Sequence, residues 1–539
     1  MKRRQFLKSM SAAGAAAALP MPAVWSSASA QSRQETILVV TEYAPNSFDI
    51  HGVGTNRPGY EVTWNCYDRL VSHGEKTLPD GSKSYDRDKF VPELAEEWNL
   101  TPNNVTFKLR KGAKFHDGTP ITAKDVKWSF DRAVTVGGFP TFQMKAGSLE
   151  KPEQFVVVDD STFRVDFIRP DKLTMPDLAV IVPGVYNSEL IKKHATEKDP
   201  WGLEYTKVNT AGGGAYKVTR WQAGSELVYE RFDDWKSGPL PKLKRIIWRT
   251  VPSAGNRRAL VERGDADISF DLPSKDFAEL KAAGKVNVVT NLIGNGIGYI
   301  GMNVKKAPFD NVKVRQAVAY AIPYQKIMDA VLFGLGGAMY GAKPGSALQT
   351  AWPQPHQYNT DIAKAKQLLA EAGYPNGFET TLSFDLGFAV INEPLCVLVQ
   401  ESLALAGIKV TINKIPGANW RGELLKKEMP LISNFFSGWL DYPEYFFFWC
   451  YHGQNAVFNT MSYQDKEMDA MIDAARVAAA ANDTAGYDKS VQSFVKKSFD
   501  EVPRIPIFQP TLSAAMQKNI TGYRYWFHRQ LDYRTLGKA

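Results

Sequence analysis

The chain has 539 residues, 44% of them hydrophobic and 23% charged, which describes a globular protein of several domain-sized units and excludes a disordered or collagen-like chain. Its formal net charge of +8 comes from 65 basic and 57 acidic side chains, a mild excess that counts against nucleic acid as a partner, since that would want a concentrated basic face. The three cysteines, Cys66, Cys396 and Cys450, lie far apart without a CxxC, so no zinc or redox motif is indicated.

Residues 1–30 read as a signal peptide. MKRRQFLK is basic, the small apolar run after it is broken by Pro20 and Pro22, and Ala28-Ser29-Ala30 forms an A-x-A cleavage site. Arg3-Arg4 followed by Phe6-Leu7-Lys8 matches a twin-arginine signal, which places the mature protein in the periplasm. Cleavage after Ala30 removes Lys2, Arg3, Arg4 and Lys8 and lowers the net charge from +8 to +4. No later window offers the ~18 charge-poor apolar residues that span a bilayer.

TILVVT reads as a buried strand running into a polar loop at 42–49, and 61–72 reads as helical. Strands are expected at 105–109, in VVVDDSTFRVDF, SELVYERF, KRIIWRTV and YIGMNV. Thr122 and Asp125 form a capping-box variant ahead of a helix with Val126, Phe130 and Ala133 inward. NTAGGGAYKV, 209–218, is a glycine-rich crossing into a strand. Helices follow in PFDNVKVRQAVAYAI, in YQKIMDAVL, and in DIAKAKQLLAEAG, which Thr360 or Asp361 caps and Gly373 and Pro375 end. TTLSF and IKVTINKI flank the helical NEPLCVLVQESLALAG, and KEMDAMIDAARVAAAAN is a further helix. IPIFQPTLSAAM reads as a strand returning to an earlier sheet. Strands and helices alternate, so the fold class is α/β with mixed sheets.

No catalytic or metal set stands out. Gly296 to Gly301 spells GxGxxG but leads into MNVKKAPFD, with no helix to face a pyrophosphate. GxxxxGK[ST], GxSxG and HExxH are absent, and no two of the seven histidines lie within five residues of each other. His116-Asp117 reads as turn chemistry before the Thr122 cap rather than as a base and its orienter. The segment 438–453, GWLDYPEYFFFWCYHG, holds eight aromatic residues in sixteen, against 12% for the chain. It is too short to span a membrane, which leaves a core strand or a ligand pocket.

The run from Asn65 to Phe130, with "YDRLV", "FVPELAEEWNL", "LRKGAKFHDGTPITAKDV", resembles the solute-binding proteins of the peptide/nickel ABC-importer family. The likeness continues through "GGGAYKV", "ALVERGDADI", "YIGMNVKKAPFDNVKVRQAVAYAI", "DIAKAKQLLAEAGYPNGFE" and "VPRIPIFQP". It implies a two-lobed periplasmic binding protein fold with a hinge and a subdomain inserted in lobe one. Lobe one is then 31–60, 206–298 and 506–539, the insert 61–205, and lobe two 299–505. It also implies a binding protein without catalytic residues, metal or cofactor, a monomer that closes over its ligand and is recognised by a membrane permease and its ATPase. The ligand-binding candidates are Trp439, Asp441, Tyr442, Tyr43 and Gly213. Peptide-binding members carry a Trp followed closely by an Asp for the ligand's ammonium group; here Trp439 and Asp441 stand one residue closer together. Some members carry an Arg three residues before the Trp, where this chain has Phe436. The family's Gly-Ser/Thr-Gly-Pro appears here around Gly213 and Ala215 without its hydroxyl. Short peptides are the first expectation. An opine or amino-acid conjugate, a short oligosaccharide or a metal chelate are rivals on the same fold, and a periplasmic hydrolase or a folding chaperone rivals of another class.

Overall fold

Two mixed sheets organise the computed structural model, which describes residues 33–52, 54–294, 296–338, 358–455, 458–527 and 531–539. The signal peptide, His356 and His528 lie outside these residues.

The first sheet has seven strands. Thr36–Thr41 sits inside it, every residue after Thr36 buried, and pairs in parallel with Arg245–Thr250 and Ile268–Ser269. Glu226–Arg231 and Tyr216–Gln222 extend one side, Thr511–Met516 and Asn287–Leu292 the other. The second sheet runs in the order Gly337–Ala338, Arg504–Gln509, Gly296–Met302, Leu431–Ser437, Phe378–Asp385 and Ile408–Ile415. Phe378–Asp385 is parallel to both of its neighbours, so its carboxyl end and that of Leu431–Ser437 emerge on the same side.

The chain passes between the sheets twice, and the two passages lie side by side. Ile293 N–H donates to Pro510 O at 2.9 Å, and Gln509 Nε2 donates to Ile293 O at 2.9 Å. The expected single tail strand is therefore two strands, one in each sheet, with Pro510 between them. The expected junctions at 298/299 and 505/506 fall inside Gly296–Met302 and Arg504–Gln509, both of which belong wholly to the second sheet. A break within either strand would strand its ladder hydrogen bonds.

A four-stranded sheet, ordered Ala95–Leu100, Asn104–Leu109, Thr162–Asp166, Phe155–Asp159, carries the helices Ala123–Thr135 and Gly138–Ala146. The Asp125 carboxylate accepts from the Thr122 N–H at 3.0 Å and hydroxyl at 2.8 Å, and Val126, Phe130 and Ala133 are buried as their spacing requires. The helix expected over 61–72 is instead Arg57–Cys66, started by the Asn56 cap with Pro58 behind it. It stops because the glycine crossing claims its last carbonyl: Gly214 N–H donates to Cys66 O at 3.0 Å. A Cβ on Gly214 would lie 2.6 Å from Tyr67 N, so only glycine permits this approach.

The aromatic run is neither strand nor membrane segment. Pro443–Cys450 is a helix with all eight residues buried, Phe447 packing on Phe494 at 4.4 Å between ring centres. Leu386–Leu405 corrects one expectation, since it is long and apolar enough to cross a bilayer. It carries Glu393 and Glu401 and buries Leu395, Cys396, Val399 and Leu403 against the second sheet, as a lobe helix does.

Candidate functional site

The carboxyl ends of Phe378–Asp385 and Leu431–Ser437 open onto a cavity of about 380 Å³ between the two lobes. Crevices at such strand ends are where open α/β sheets take their ligands. From the first lobe, Thr55, Asn56, Arg57 and Tyr60 line it, at the loop after the first strand and the start of helix Arg57–Cys66. Phe139 and Gln143 reach it from one face of helix Gly138–Ala146. The second lobe supplies the strand end Asn434–Trp439 and Tyr445 and Trp449 of the aromatic helix. Gly417, Trp420, Arg421 and Leu424 also face it, at the i, i+3, i+4, i+7 spacing that puts one helix face of Gly417–Lys426 on the cavity.

The walls are largely aromatic. Tyr60 lies 5.5 Å and Phe139 5.9 Å from Trp439, centre to centre, and Phe436 meets Phe446 edge-on at 5.1 Å. Two arginines, Arg57 and Arg421, and one carboxylate, Asp385, are the charged lining. Asp385 Oδ1 accepts the Gly387 N–H at 2.7 Å, and burial pushes its carboxyl above the usual range.

The lobes meet around this space through polar bonds. Arg57 Nη2 donates to Ser437 Oγ at 2.9 Å, and Tyr445 OH donates to Gln143 Oε1 at 2.6 Å. Arg476 Nη2 bonds Ala146 O at 2.9 Å and Asp171 Oδ2 at 2.5 Å. Each of these bonds ties one side of the cleft to the other.

The five candidates from the sequence do not converge. Trp439 lines the cavity. Asp441 does not: it sits in the seam against the hairpin Val71–Thr77/Lys83–Pro92, where Arg87 Nη1 donates to its backbone O. Its Oδ1 is buried without a partner, and burial pushes its carboxyl up while the Arg87 charge pulls it back. Tyr442 is outside as well, its hydroxyl donating to Arg87 O at 3.1 Å and its ring 5.0 Å from both Arg87 Cζ and Lys172 Nζ. Tyr43 is half-exposed and reaches across the lobes to Gly387 O at 3.4 Å. Gly213 packs under the turn before the Thr122 helix, where a Cβ would lie 2.6 Å from Lys114 O. Asp441, Tyr442, Tyr43 and Gly213 are therefore not among the residues that line this cavity. Sequence reasoning missed Arg57, Gln143, Asp385, Trp420 and Arg421; for the helix 417–426 the available signal was the helical spacing of Gly417, Trp420, Arg421 and Leu424.

Residues 89–458 match the model of the bacterial extracellular solute-binding proteins, family 5, and residues 1–20 match the twin-arginine translocation signal. The chain is 29% identical over 473 residues to a probable D,D-dipeptide-binding periplasmic protein of Escherichia coli K12, covering 86% of each. It is 28% identical to a glutathione-binding protein of Salmonella choleraesuis, covering 85% of this chain and 88% of that one. Among solved structures, the binding protein AgaA of A. tumefaciens R10 in complex with agropinic acid superposes with a TM-score of 0.77 at 25% identity, covering 94% and 99%. The Helicobacter pylori binding protein DppA, in complex with the peptide STSA, gives 0.77 at 20% identity, covering 95% and 100%.

Proposed function

We propose a ligand class for this chain, which belongs to the bacterial extracellular solute-binding proteins of family 5: a short peptide or a peptide-sized amino-acid conjugate, held between the lobes. The protein is the solute-binding component of an ABC importer, exported to the periplasm by the twin-arginine route. It works as a monomer, breaks no bond in its ligand, and presents the closed form to a separate permease and ATPase. The observation that carries the ligand class is a cavity of about 380 Å³ with one carboxylate, Asp385, set among aromatic walls. That volume is at the small end of ligand sites, about 300–1,000 Å³, and favours short ligands over long ones. Asp385 Oδ1 is occupied by Gly387, which leaves Oδ2 for an ammonium group. The relatives named for a D,D-dipeptide and for glutathione support the same size and chemistry.

Closure needs a ligand that prefers the shut state, and the cross-lobe bonds of Arg57, Gln143 and Arg476 are what the shut state gains. Asp385→Asn keeps an acceptor but loses the charge, so it is expected to weaken a ligand with a free amine about tenfold and its N-acetyl form hardly at all. Asp441→Ala acts at the seam and is expected to leave the ratio of those two affinities within about twofold, however it shifts the opening equilibrium. Titration calorimetry with dipeptides and their N-acetyl twins separates the two carboxylates. Selective loss of the free-amine ligand in Asp441→Ala alone would return the ammonium to Asp441, and equal binding of both ligand forms by the unaltered protein would end the peptide-like reading.

A further inference from the structure

We infer that Arg504, buried beneath the second-lobe floor of the cavity, acts through the Thr460 hydroxyl as a positioning residue that makes this floor a seat for the ligand's carboxylate. The inference rests on the cavity being the ligand site and deepens the peptide-like reading by naming what holds the ligand's anionic end.

Strand pairing builds the floor. Gly301 lies opposite Arg504, and Tyr299, two residues earlier, lies opposite Asn434, so Arg504, Tyr299 and Asn434 stand on one face of the second sheet. Gly301 leaves the room for this, since a Cβ there would lie 2.4 Å from Met461 Sδ. The segment 458–461 packs on the same face, and Tyr299, Asn434, Phe458 and Thr460 all line the cavity.

Arg504 is fully buried, and among the described residues it has no carboxylate partner. Its Nη2 donates to Phe458 O and, at 3.1 Å, to Thr460 Oγ1, and its Cζ lies 4.7 Å from the centre of the Tyr299 ring. Its Nη1 is buried without a hydrogen-bond partner. The Cys450 thiol beside it is no counter-ion, because burial pushes that thiol up to about 11. The other large fully buried arginines differ: Arg69 meets Glu93 at 2.5 Å, Arg132 meets Asp49 at 2.6 Å and Arg257 meets Glu42 at 3.1 Å. A buried cation without an anion is costly, so Arg504 is the one of the four that an incoming anion would relieve.

The hydroxyl protons show how that anion is reached. Asn434 Nδ2 donates to Tyr299 OH at 3.0 Å, Arg504 Nη2 donates to Thr460 Oγ1, and the two hydroxyl oxygens stand 3.2 Å apart. Two O–H groups share this one contact. One proton fills it, and the other has no acceptor among the described residues. The open space beside both residues is the cavity, so a ligand oxygen seated there receives the spare O–H. The guanidinium behind Thr460 polarises that donor, and its charge acts through a low-dielectric wall, which favours a carboxylate over a neutral carbonyl. With its ammonium on Asp385 and its carboxylate on this floor, a short zwitterion is held at both ends by the second lobe.

Titration calorimetry with dipeptides, γ-glutamyl peptides and simple non-peptide carboxylic acids, each acid beside its amide, tests the seat. At least one acid is expected to bind about tenfold or more tightly than its amide. Thr460→Val removes the hydroxyl at nearly constant shape and is expected to shrink that ratio to about twofold, while Thr460→Ser restores the hydroxyl and with it the ratio. Arg504→Gln, where it folds, is expected to shrink the ratio with Thr460 in place; the Thr460 pair tests the seat without depending on that variant. A purely structural role for Arg504 and Thr460 would lower the affinities of acid and amide alike and leave their ratio unchanged, which overturns the inference and keeps the peptide reading. Amides that bind the parent as tightly as acids do the same. Acids that bind only as non-peptides, with the ratio lost in Thr460→Val, keep the seat and overturn the peptide reading. A panel in which no acid binds overturns both.

Discussion

Replacing Asp49 by alanine is expected to cost about 3–5 kcal/mol of stability, the range for removing one partner of a buried ion pair. Asp49 is fully buried in the loop after the first strand and takes four donors. His51 N–H and Tyr186 OH reach Oδ1 at 2.8 Å each, while Arg132 Nη2 reaches Oδ2 at 2.6 Å and the Thr206 hydroxyl shares that oxygen. Burial alone would push this carboxyl up; the attraction of Arg132, also fully buried, outweighs it and holds the group well below the usual carboxylate range. The charge thus contributes stability at every pH above the unfolded value of about 3.9 and loses it only as the pH falls below that. Without Asp49, Arg132 would be left uncompensated, and His51 Nδ1, 3.1 Å from Arg132 Nη1, is an acceptor only while the imidazole is neutral. The cluster joins the first lobe to the four-stranded unit, because Arg132, Tyr186 and Thr206 all lie between residues 123 and 206. It also fixes a cavity wall: Thr55 Oγ1 donates to Asp49 O at 2.7 Å, two residues before Arg57. Urea unfolding should therefore show the stability loss, and Asp49→Ala should bind ligand more weakly than its stability alone explains. A loss under about 1 kcal/mol would mean that water replaces the carboxylate and that the ion pair is not what holds the wall.

Most helices were legible because local signals agreed with each other. Asp361 caps its helix through the Lys364 N–H at 2.9 Å, and of the positions expected inward Leu368 and Leu369 are buried while Ala372, at the helix end, is only half-buried. The aromatic run was harder, since a short apolar stretch reads equally as strand or buried helix. Pro443 at its first turn was the signal for a helix. The site was less legible than the fold. Asp385, Arg57 and Arg421 come from three separate elements, and nothing in their sequence neighbourhoods links them. Asp441 drew attention because it follows a tryptophan, but sequence spacing does not fix which way the turn after Trp439 aims its side chain. Trp439 lines the cavity, while Asp441, two residues later, packs outside its lining.

Asp177→Asn is expected to make stability less dependent on pH, with the largest difference on the alkaline side. Asp177 is fully buried, and burial raises its carboxyl to about 8, the Gln143 hydrogen bond at 2.6 Å only partly offsetting that. At pH 7 the folded protein therefore holds a neutral acid there, while the unfolded chain, near 3.9, has released the proton. Its contribution is complete below about pH 3.9 and is lost progressively as pH rises through 8, because the folded state binds the extra proton throughout that window. Between pH 5 and pH 8 the loss is on the order of 4 kcal/mol at 1.36 kcal/mol per unit. Asparagine has the same outline, stays uncharged and leaves an oxygen for Gln143 Nε2, so relative to the variant the parent should weaken steadily across that range. The effect should reach the cleft. Gln143 lines the cavity and accepts from Tyr445 OH, which in turn takes the Trp439 N–H at 3.4 Å, so ionising Asp177 disturbs a chain that ends on the aromatic wall. Ligand affinity of the parent should fall above pH 8 while that of Asp177→Asn holds. Unfolding curves of the two proteins that stay parallel from pH 5 to pH 9 would show that Asp177 is ionised throughout, compensated by a donor that the buried Oδ2 does not have in this structure.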